Sequence, residues 1–294
     1  MVEGDGDDAG LFDALRSRGI FARWLAWDDP QILDADLVIL RAAWDYPQHY
    51  EAFLDWITQV RHLVNAPQVV AWNSDKRYLA DLAAAGVPTV PSDFSAPGES
   101  IHIPTGEVVV KPTVGAGSVG VQRFTDSSAA RAHAATLHAD GYTALIQPYD
   151  ARIAAGETAL VFIGGEQSHA FSKGPMLPAP GQTPAMDASG TYAEEKLARA
   201  DPDFEVWDVG HAALSAAAEH LGIGIEEFLY ARVDVIGDRH DPRLLELELI
   251  EPSLGWRQLG TDDRAVAQRR FALAVASALE RFGLGPLSKV KGHN

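Results

Sequence analysis

Two short stretches of this chain set ionisable side chains two residues apart. In Tyr230-Ala231-Arg232-Val233-Asp234 an arginine and an aspartate alternate with apolar residues, and in Leu244-Leu245-Glu246-Leu247-Glu248-Leu249 two glutamates do the same. Alternate residues of a strand share a face. Arg232 and Asp234 therefore point one way, and Glu246 and Glu248 point away from Leu245, Leu247 and Leu249. A polar turn, Gly237-Asp238-Arg239-His240-Asp241-Pro242, joins the stretches. Hairpin pairing then gathers Asp234, Glu246 and Glu248 on one surface, where like charges destabilise a sheet. A hard divalent cation removes that cost, and Mg²⁺ is held by a few carboxylates together with substrate phosphates. The plain alternative is a solvated hairpin face carrying scattered acids.

Lys111 closes the apolar run Val108-Val109-Val110 and precedes Pro112, and Gly115-Ala116-Gly117-Ser118-Val119-Gly120 follows shortly. A lysine there projects from a rigid element into the cleft that the strand borders. The glycines let backbone N–H groups turn toward an anion. The spacing is neither a Walker loop nor a dinucleotide fingerprint. For the glycine run alone, a hairpin turn beside a surface lysine is the alternative. The joined pattern of strand, Lys-Pro and glycine loop is more specific. Lys76, in Asn73-Ser74-Asp75-Lys76, lies near a helix start, whose positive end favours anions. Lys173 precedes a stretch rich in Pro, Gly, Ala and Ser, residues 174–191, that reads as a lid.

The elements that must position these residues alternate between helix and strand. Residues 8–18 read as a helix, 22–26 as extended, 36–40 as a buried strand, 50–64 as a helix and 68–71 as a strand. Such an α/β domain opens with a strand, but only the acidic Met1-Val2-Glu3-Gly4-Asp5-Gly6-Asp7-Asp8-Ala9-Gly10 precedes the first helix. That strand is either upstream of this start or trimmed away. Asn73 or Ser74 caps a helix running to Ala85, stopped by Gly86-Val87-Pro88. Strands at 107–111, 121–124 and 143–147 frame a helix at 128–139. A hairpin at 157–163 and 167–172 turns at Gly164-Gly165. A helix at 206–221, the two charged strands at 230–236 and 244–250, and a helix at 262–282 complete the chain.

Bulk properties narrow the partners. The chain has 294 residues, 47% hydrophobic and 22% charged, which fits two or three packed subdomains of a globular protein. Its formal net charge of −17 repels nucleic-acid phosphates and anionic lipid, so neither is expected as a partner. No apolar run approaches the roughly 20 residues that span a bilayer, and the start lacks the regions of a signal peptide. The expectation is a cytoplasmic protein. The absence of cysteine excludes disulfides, thiolate metal ligands and a cysteine nucleophile.

In their order these motifs resemble the ATP-grasp superfamily, which includes D-alanine–D-alanine ligase and glutathione synthetase. The likeness is good over residues 70–255 and loose before them. It implies a Rossmann-like α/β domain over 1–70, a central lobe over 71–148, a C-terminal lobe with the metal site over 149–287 and a tail over 288–294. The two lobes, both α+β, grip ATP. The resemblance makes Lys76 and Lys111 the lysines on the nucleotide phosphates and Gly115, Gly117, Ser118 and Gly120 the flap over them. Gln147-Pro148-Tyr149 becomes the adenine-binding hinge, with glutamine where the family's first residue is usually glutamate. Glu157 falls on the ribose, Lys173 on the γ-phosphate and Asp234 on one or two Mg²⁺ ions. Arg232 would stabilise charge during transfer. Glu246-Leu247-Glu248 replaces the common Glu-x-Asn, which adds a negative charge and lengthens the gap to Pro252.

The implied reaction is attack by a substrate carboxylate on the γ-phosphorus, giving an acyl phosphate that a nitrogen then attacks. Arg41, Trp44 and Asp45 follow the end of the 36–40 strand, where ligands of α/β sheets bind. Arg41 suits a carboxylate and Asp45 an amino group. Alternatively Trp44 and Tyr46 pack and Arg41 forms a local ion pair. Arg152, Ser253 and Arg257 are further substrate candidates. Leu40–Tyr46, Trp72–Leu79 and Leu245–Pro252 are similar to the cyclo-ligase subgroup of D-cycloserine biosynthesis, which closes a ring within O-ureidoserine. An intermolecular amino-acid or peptide ligase and a small-molecule kinase remain open on these motifs. A homodimer is the superfamily-level expectation.

Overall fold

A computed structural model describes residues 4–285, except 176, 178, 181 and 183–195. Most of the expected lid therefore lies outside the described residues, as does the tail. The chain begins with a 3-10 turn, Gly6–Asp8, and α1 (Leu11–Arg16). Next come β1 (Val38–Ile39), α2 (Tyr50–Gln59) and β2 (Leu63–Val64), then α3 (Pro67–Asn73) and α4 (Tyr78–Ala84). A four-stranded antiparallel sheet follows, ordered β3-β6-β4-β5, from β3 (Asp93–Ser95), β4 (Val108–Pro112), β5 (Gln122–Phe124) and β6 (Ala144–Pro148). Its helix α5 (Ser127–Ala139) starts at Asp126, whose side chain accepts from the Ala129 N–H at 2.7 Å.

The second large sheet has five antiparallel strands ordered β11-β10-β7-β8-β9. They are β7 (Glu157–Ile163), β8 (Glu166–Lys173), β9 (Leu197–Ala200), β10 (Tyr230–Ile236) and β11 (Arg243–Glu248). Two helices sandwich it, α6 (Phe204–Leu221) and α7 (Thr261–Arg281). Leu160, Phe162, Val233, Val235 and Leu247 pack with α6 residues on one face. Ala159, Val161, Ile163 and Tyr230 pack with Phe271 and Val275 of α7 on the other. Strands covered on both faces read as apolar runs, which is why β7 and β10 were visible in the sequence.

The N-terminal part departs from expectation. Residues 68–71 belong to helix α3, not to a strand. A short apolar run fits either state, and Pro67 at the first helical position decides for helix. Only Val38 and Ile39 of the 36–40 segment form a strand, paired in parallel with Leu63 and Val64. The end of the expected 50–64 helix is that partner strand. The expected helix from 73 to 85 is two helices, broken at Ser74–Arg77, where the Lys76 N–H donates to Thr113 O at 2.8 Å. The described part of the opening segment is a 3-10 turn. Two short strands, β3 and β9, carry no alternation long enough to be read. Among the described residues no helix is long and apolar enough to cross a membrane.

Strand β11 lies at the edge of its sheet, and side chains of the N-terminal part cover that edge. Asn73 Nδ2 donates to Leu247 O and its Oδ1 accepts from the Leu249 N–H, both at 2.8 Å. Asn65 Nδ2 donates to Leu249 O at 2.7 Å and to Tyr230 O at 3.0 Å, and its Oδ1 accepts from the Leu229 N–H at 2.8 Å. The Tyr78 hydroxyl accepts from the Leu247 N–H at 2.9 Å. Asn73→Ala leaves a buried carbonyl and a buried N–H without partners, at about 1–3 kcal/mol each. Scanning calorimetry is expected to show a melting temperature roughly 5–10 °C lower. An unchanged value would contradict this account of the edge.

Candidate active site

The registers of β10 and β11 set the charges. Arg232 lies opposite Glu248 and Asp234 opposite Glu246, and a bulge follows between Asp234 and Val235. The bulge corrects the expected facing of Leu245. The extra residue escapes the alternation and joins Val90, Ile153 and Ile236 instead of Leu247. These strands border a cavity of about 570 Å³, within the range of small-molecule sites. Lys76, Lys111, Gly115, Gly117, Ser118, Gln147, Pro148, Tyr149, Glu157, Lys173, Arg232, Glu246 and Glu248 all line it, as do Trp44 and Ser253.

Each cation has a different setting. Lys76 Nζ pairs with Glu246 at 2.9 Å and donates to Gly115 O at 2.9 Å. Burial opposes its charge, but Glu246 wins and raises its pKa. Lys173 Nζ lies 2.8 Å from Asp234 and 3.1 Å from Glu157. Gly156, with φ of 96°, lets β7 start against Lys173, since a Cβ there would lie 2.5 Å from the Lys173 carbonyl oxygen. Lys111 is 7% exposed, and its ammonium has no hydrogen-bond or ion-pair partner among the described residues. Burial lowers its pKa. Burial strips this ammonium of water at a cost, and among the described residues Glu246 acts on it only from beyond ion-pair distance, so a negative group bound in the cavity would offset that cost.

The acids are arranged to match. Asp234 accepts from Arg232 Nε and Nη2 at 3.0 Å each and from Lys173, and these cations hold its pKa down against burial. Burial works against Glu246 too, but Lys76 and Lys111 bring it to about 2. Burial pushes Glu248 up to about 7 despite Arg232, with which it is ion-paired, and Asp234 and Glu246 add to the rise. Glu251, partly buried on the same wall, is pushed to about 8 by burial and by Glu248. The expected metal trio is therefore not preassembled. Among the described residues no three His, Asp or Glu side chains form a ready cage, and Arg232, Lys76 and Lys173 are ion-paired with the acids instead. The set still fits a hard dication. Its donors are carboxylate oxygens, and the rise that burial, Asp234 and Glu246 impose on Glu248 is one that a bound dication would oppose.

The glycine loop makes its turn through two left-handed residues, Gly117 with φ of 62° and Ser118 with φ of 63°. At Gly120 a Cβ would press on Pro112 at 3.1 Å, so the loop closes against the residue after Lys111. Gln147 Nε2 donates to Ser92 Oγ at 2.9 Å, and Arg123 stacks 3.5 Å above the Tyr149 ring.

Three substrate candidates lie elsewhere. Arg41 does not line this cavity. Its guanidinium grips Asp8 through two 3.0 Å bonds and lies over the Tyr230 ring, so the local ion pair is the correct reading. Asp45 accepts from Trp27 Nε1 at 3.0 Å and is likewise outside the lining. Arg152 is spent on Asp150 and Asp241. Buried arginine and surface carboxylates found partners nearer than the cleft. Asp5, Asp7 and Gln258 line the cavity without having been singled out, and so do Asn73, read only as a helix cap, and Glu251, read only as part of the stretch after the β11 segment. The acidic run at the start was the one available signal, and its meaning depends on contacts about 250 residues away.

Residues 1–65 match the family described as the N-terminal domain of D-cycloserine synthetase DcsG. Over 297 residues the chain is 36% identical to the cycloserine biosynthesis protein DcsG of Streptomyces lavendulae, covering 94% of this chain and 95% of that one. It superposes on a crystal structure of D-cycloserine synthetase DcsG with a TM-score of 0.80 at 33% identity, over 92% of this chain and 93% of the other. It superposes on D-alanine–D-alanine ligase from Bacillus anthracis with a TM-score of 0.57 at 16% identity, over 88% and 82%. Fold and site together define an ATP-grasp ligase. Within that class the chain belongs to the DcsG family.

Lys111→Met replaces the unpaired ammonium by an apolar chain of similar length. The melting temperature is expected to hold or rise, because the desolvation cost disappears. ATP affinity is expected to fall about 30-fold or more. A lower melting temperature with intact ATP affinity would make Lys111 a structural residue.

Proposed function

We propose that this chain is an ATP- and Mg²⁺-dependent ligase that activates the carboxylate of O-ureidoserine as an acyl phosphate and closes the ring to cycloserine. The lobes over 71–148 and 149–287 grip the nucleotide. The observation that carries the reading is the buried Lys111 ammonium, which has no hydrogen-bond or ion-pair partner among the described residues and shares one cavity with Lys76, Lys173 and Arg232. The substrate assignment rests on the relationship to D-cycloserine synthetase.

Phosphoryl transfer needs positioning and neutralisation of charge more than covalent chemistry by the protein. Lys76, Lys111 and Lys173 would hold the phosphates. The apolar wall of Val90, Ile153, Ile236 and Leu245 beside Gln147 and Tyr149 would take the adenine, and Glu157 the ribose. Asp234, Glu246 and Glu248 would hold Mg²⁺, which supplies charge neutralisation to the β- and γ-phosphates when bound. The substrate carboxylate oxygen attacks the γ-phosphorus and ADP leaves. The oxygen-bound nitrogen of the substrate then attacks the carbonyl carbon and inorganic phosphate departs; water must also remove the carbamoyl group on that nitrogen, as carbon dioxide and ammonia, to leave cycloserine. Arg232 is held by Asp234 and by Ser253 O, to which Nη1 donates at 3.1 Å, so it is pre-aimed for a developing oxyanion. Closure of the 115–120 flap excludes the water that would hydrolyse the intermediate.

The test is ADP release with Mg-ATP and O-ureidoserine, with and without hydroxylamine. Substrate-dependent ADP, cycloserine as product and a hydroxamate in the trapped reaction are expected. ADP with a stable phosphorylated product and no hydroxamate would instead mark a kinase.

A further inference from the structure

One wall of the cavity is made by the opening segment of the chain, through Asp5 and Asp7. The two acids are not equivalent. Asp7 is spent on the backbone, with Oδ2 accepting from the Trp256 N–H at 2.9 Å and Oδ1 from the Arg257 N–H at 2.8 Å. Asp5 uses only Oδ1, which accepts from the Asp7 N–H at 2.8 Å. Its Oδ2 is shielded from solvent and has no hydrogen-bond partner among the described residues. A buried carboxylate oxygen left without a donor carries a desolvation cost that a bound donor removes.

The segment is also fixed in place. Arg257 Nη2 donates to Gly6 O at 2.6 Å, next to Asp5. Three residues connect Asp5 to the reacting centre. Arg232 Nη1 donates to Ser253 O, Ser253 Oγ lies 3.5 Å from Asp7 Oδ2, and the Asp7 N–H meets Asp5. Asp45, the acid that the sequence offered for an amino group, is turned onto Trp27.

We infer that Asp5 binds the ammonium group of the substrate, so that the site takes an amino acid with a free amine and rejects deaminated or N-acylated acids. The carboxylate faces Arg232 and the phosphates, while the ammonium meets Asp5 Oδ2. The inference rests on the reading of this cavity as a carboxylate-activating site, and it deepens that reading from a carboxylate to a zwitterion.

Calorimetric titration tests it on the full chain loaded with Mg²⁺ and β,γ-methylene-ATP. The probes are O-ureidoserine and its desamino counterpart, 3-(ureidooxy)propanoate. Serine and 3-hydroxypropanoate form a second pair that keeps the role of Asp5 separate from the identity of the substrate. Wild type is expected to prefer the ammonium-bearing member of a pair. Asp5→Asn keeps the Oδ1 acceptor and the melting temperature. It is expected to lose about 30-fold or more in affinity for that member, with the desamino probe unchanged. Equal wild-type affinity within each pair, including no binding of either member, overturns the inference. So does an Asp5→Asn variant that keeps the preference, or one that loses both members equally along with its melting temperature.

Discussion

Strand β11 runs beside β10 in the register that sets Glu246 opposite Asp234 and Glu248 opposite Arg232, and the ion pairs of Lys76, Lys173 and Arg232 depend on that pairing. A slip of one residue would send the acids to the α6 face and bring leucines into the cavity. The register is held from both sides. On one side β10 is paired along its length with β7. On the other, Asn65, Asn73 and Tyr78 bond the backbone around β11 as a further strand would. These side chains belong to the N-terminal part, so the segments before residue 79 clamp the two charged strands.

Once the strands are fixed, the electrostatics follow from burial. Acids and cations share a poorly hydrated space, and Glu246 and Asp234 are held below the usual carboxylate range against burial by the lysines and Arg232, whereas burial raises Glu157 even beside Lys173. Glu248 and Glu251, farther from the lysines, drift toward neutrality. Lys111 is the counterpart on the positive side, an ammonium with no ion-pair partner among the described residues. A nucleotide phosphate for Lys111 and a hard cation for the carboxylates would complete both halves at once. The same logic explains Arg41. Deep burial required a carboxylate at hand, and Asp8 provides it, its Oδ1 also accepting from the Trp256 indole N–H at 3.2 Å.

What could be read in advance was whatever short-range pattern determines. The alternation of Arg232 with Asp234 and of Glu246 with Glu248 gave the facing of the hairpin, and Val108–Lys111 with its glycines gave the loop. The reading failed where tertiary contact decides. Gln68–Ala71 is apolar enough for a strand but follows a proline that starts a helix. Leu245 obeys the alternation in sequence and breaks it at a bulge. Arg41 and Asp45 sit at a strand end, the usual place for ligands, yet both find protein partners instead. Asp5 and Asp7 stood only as part of an acidic opening where a strand was expected, and the return of residues 253–257 gives them a place at the cavity.

The central claim is that this cavity passes a phosphoryl group to a substrate carboxylate before the nitrogen attacks. The most direct measurement starts from O-ureidoserine carrying ¹⁸O in both carboxylate oxygens and follows the label into inorganic phosphate by mass spectrometry. An acyl phosphate transfers one labelled oxygen to each phosphate released, and the account predicts that outcome. Phosphate that carries no label, formed alongside cycloserine, would contradict it.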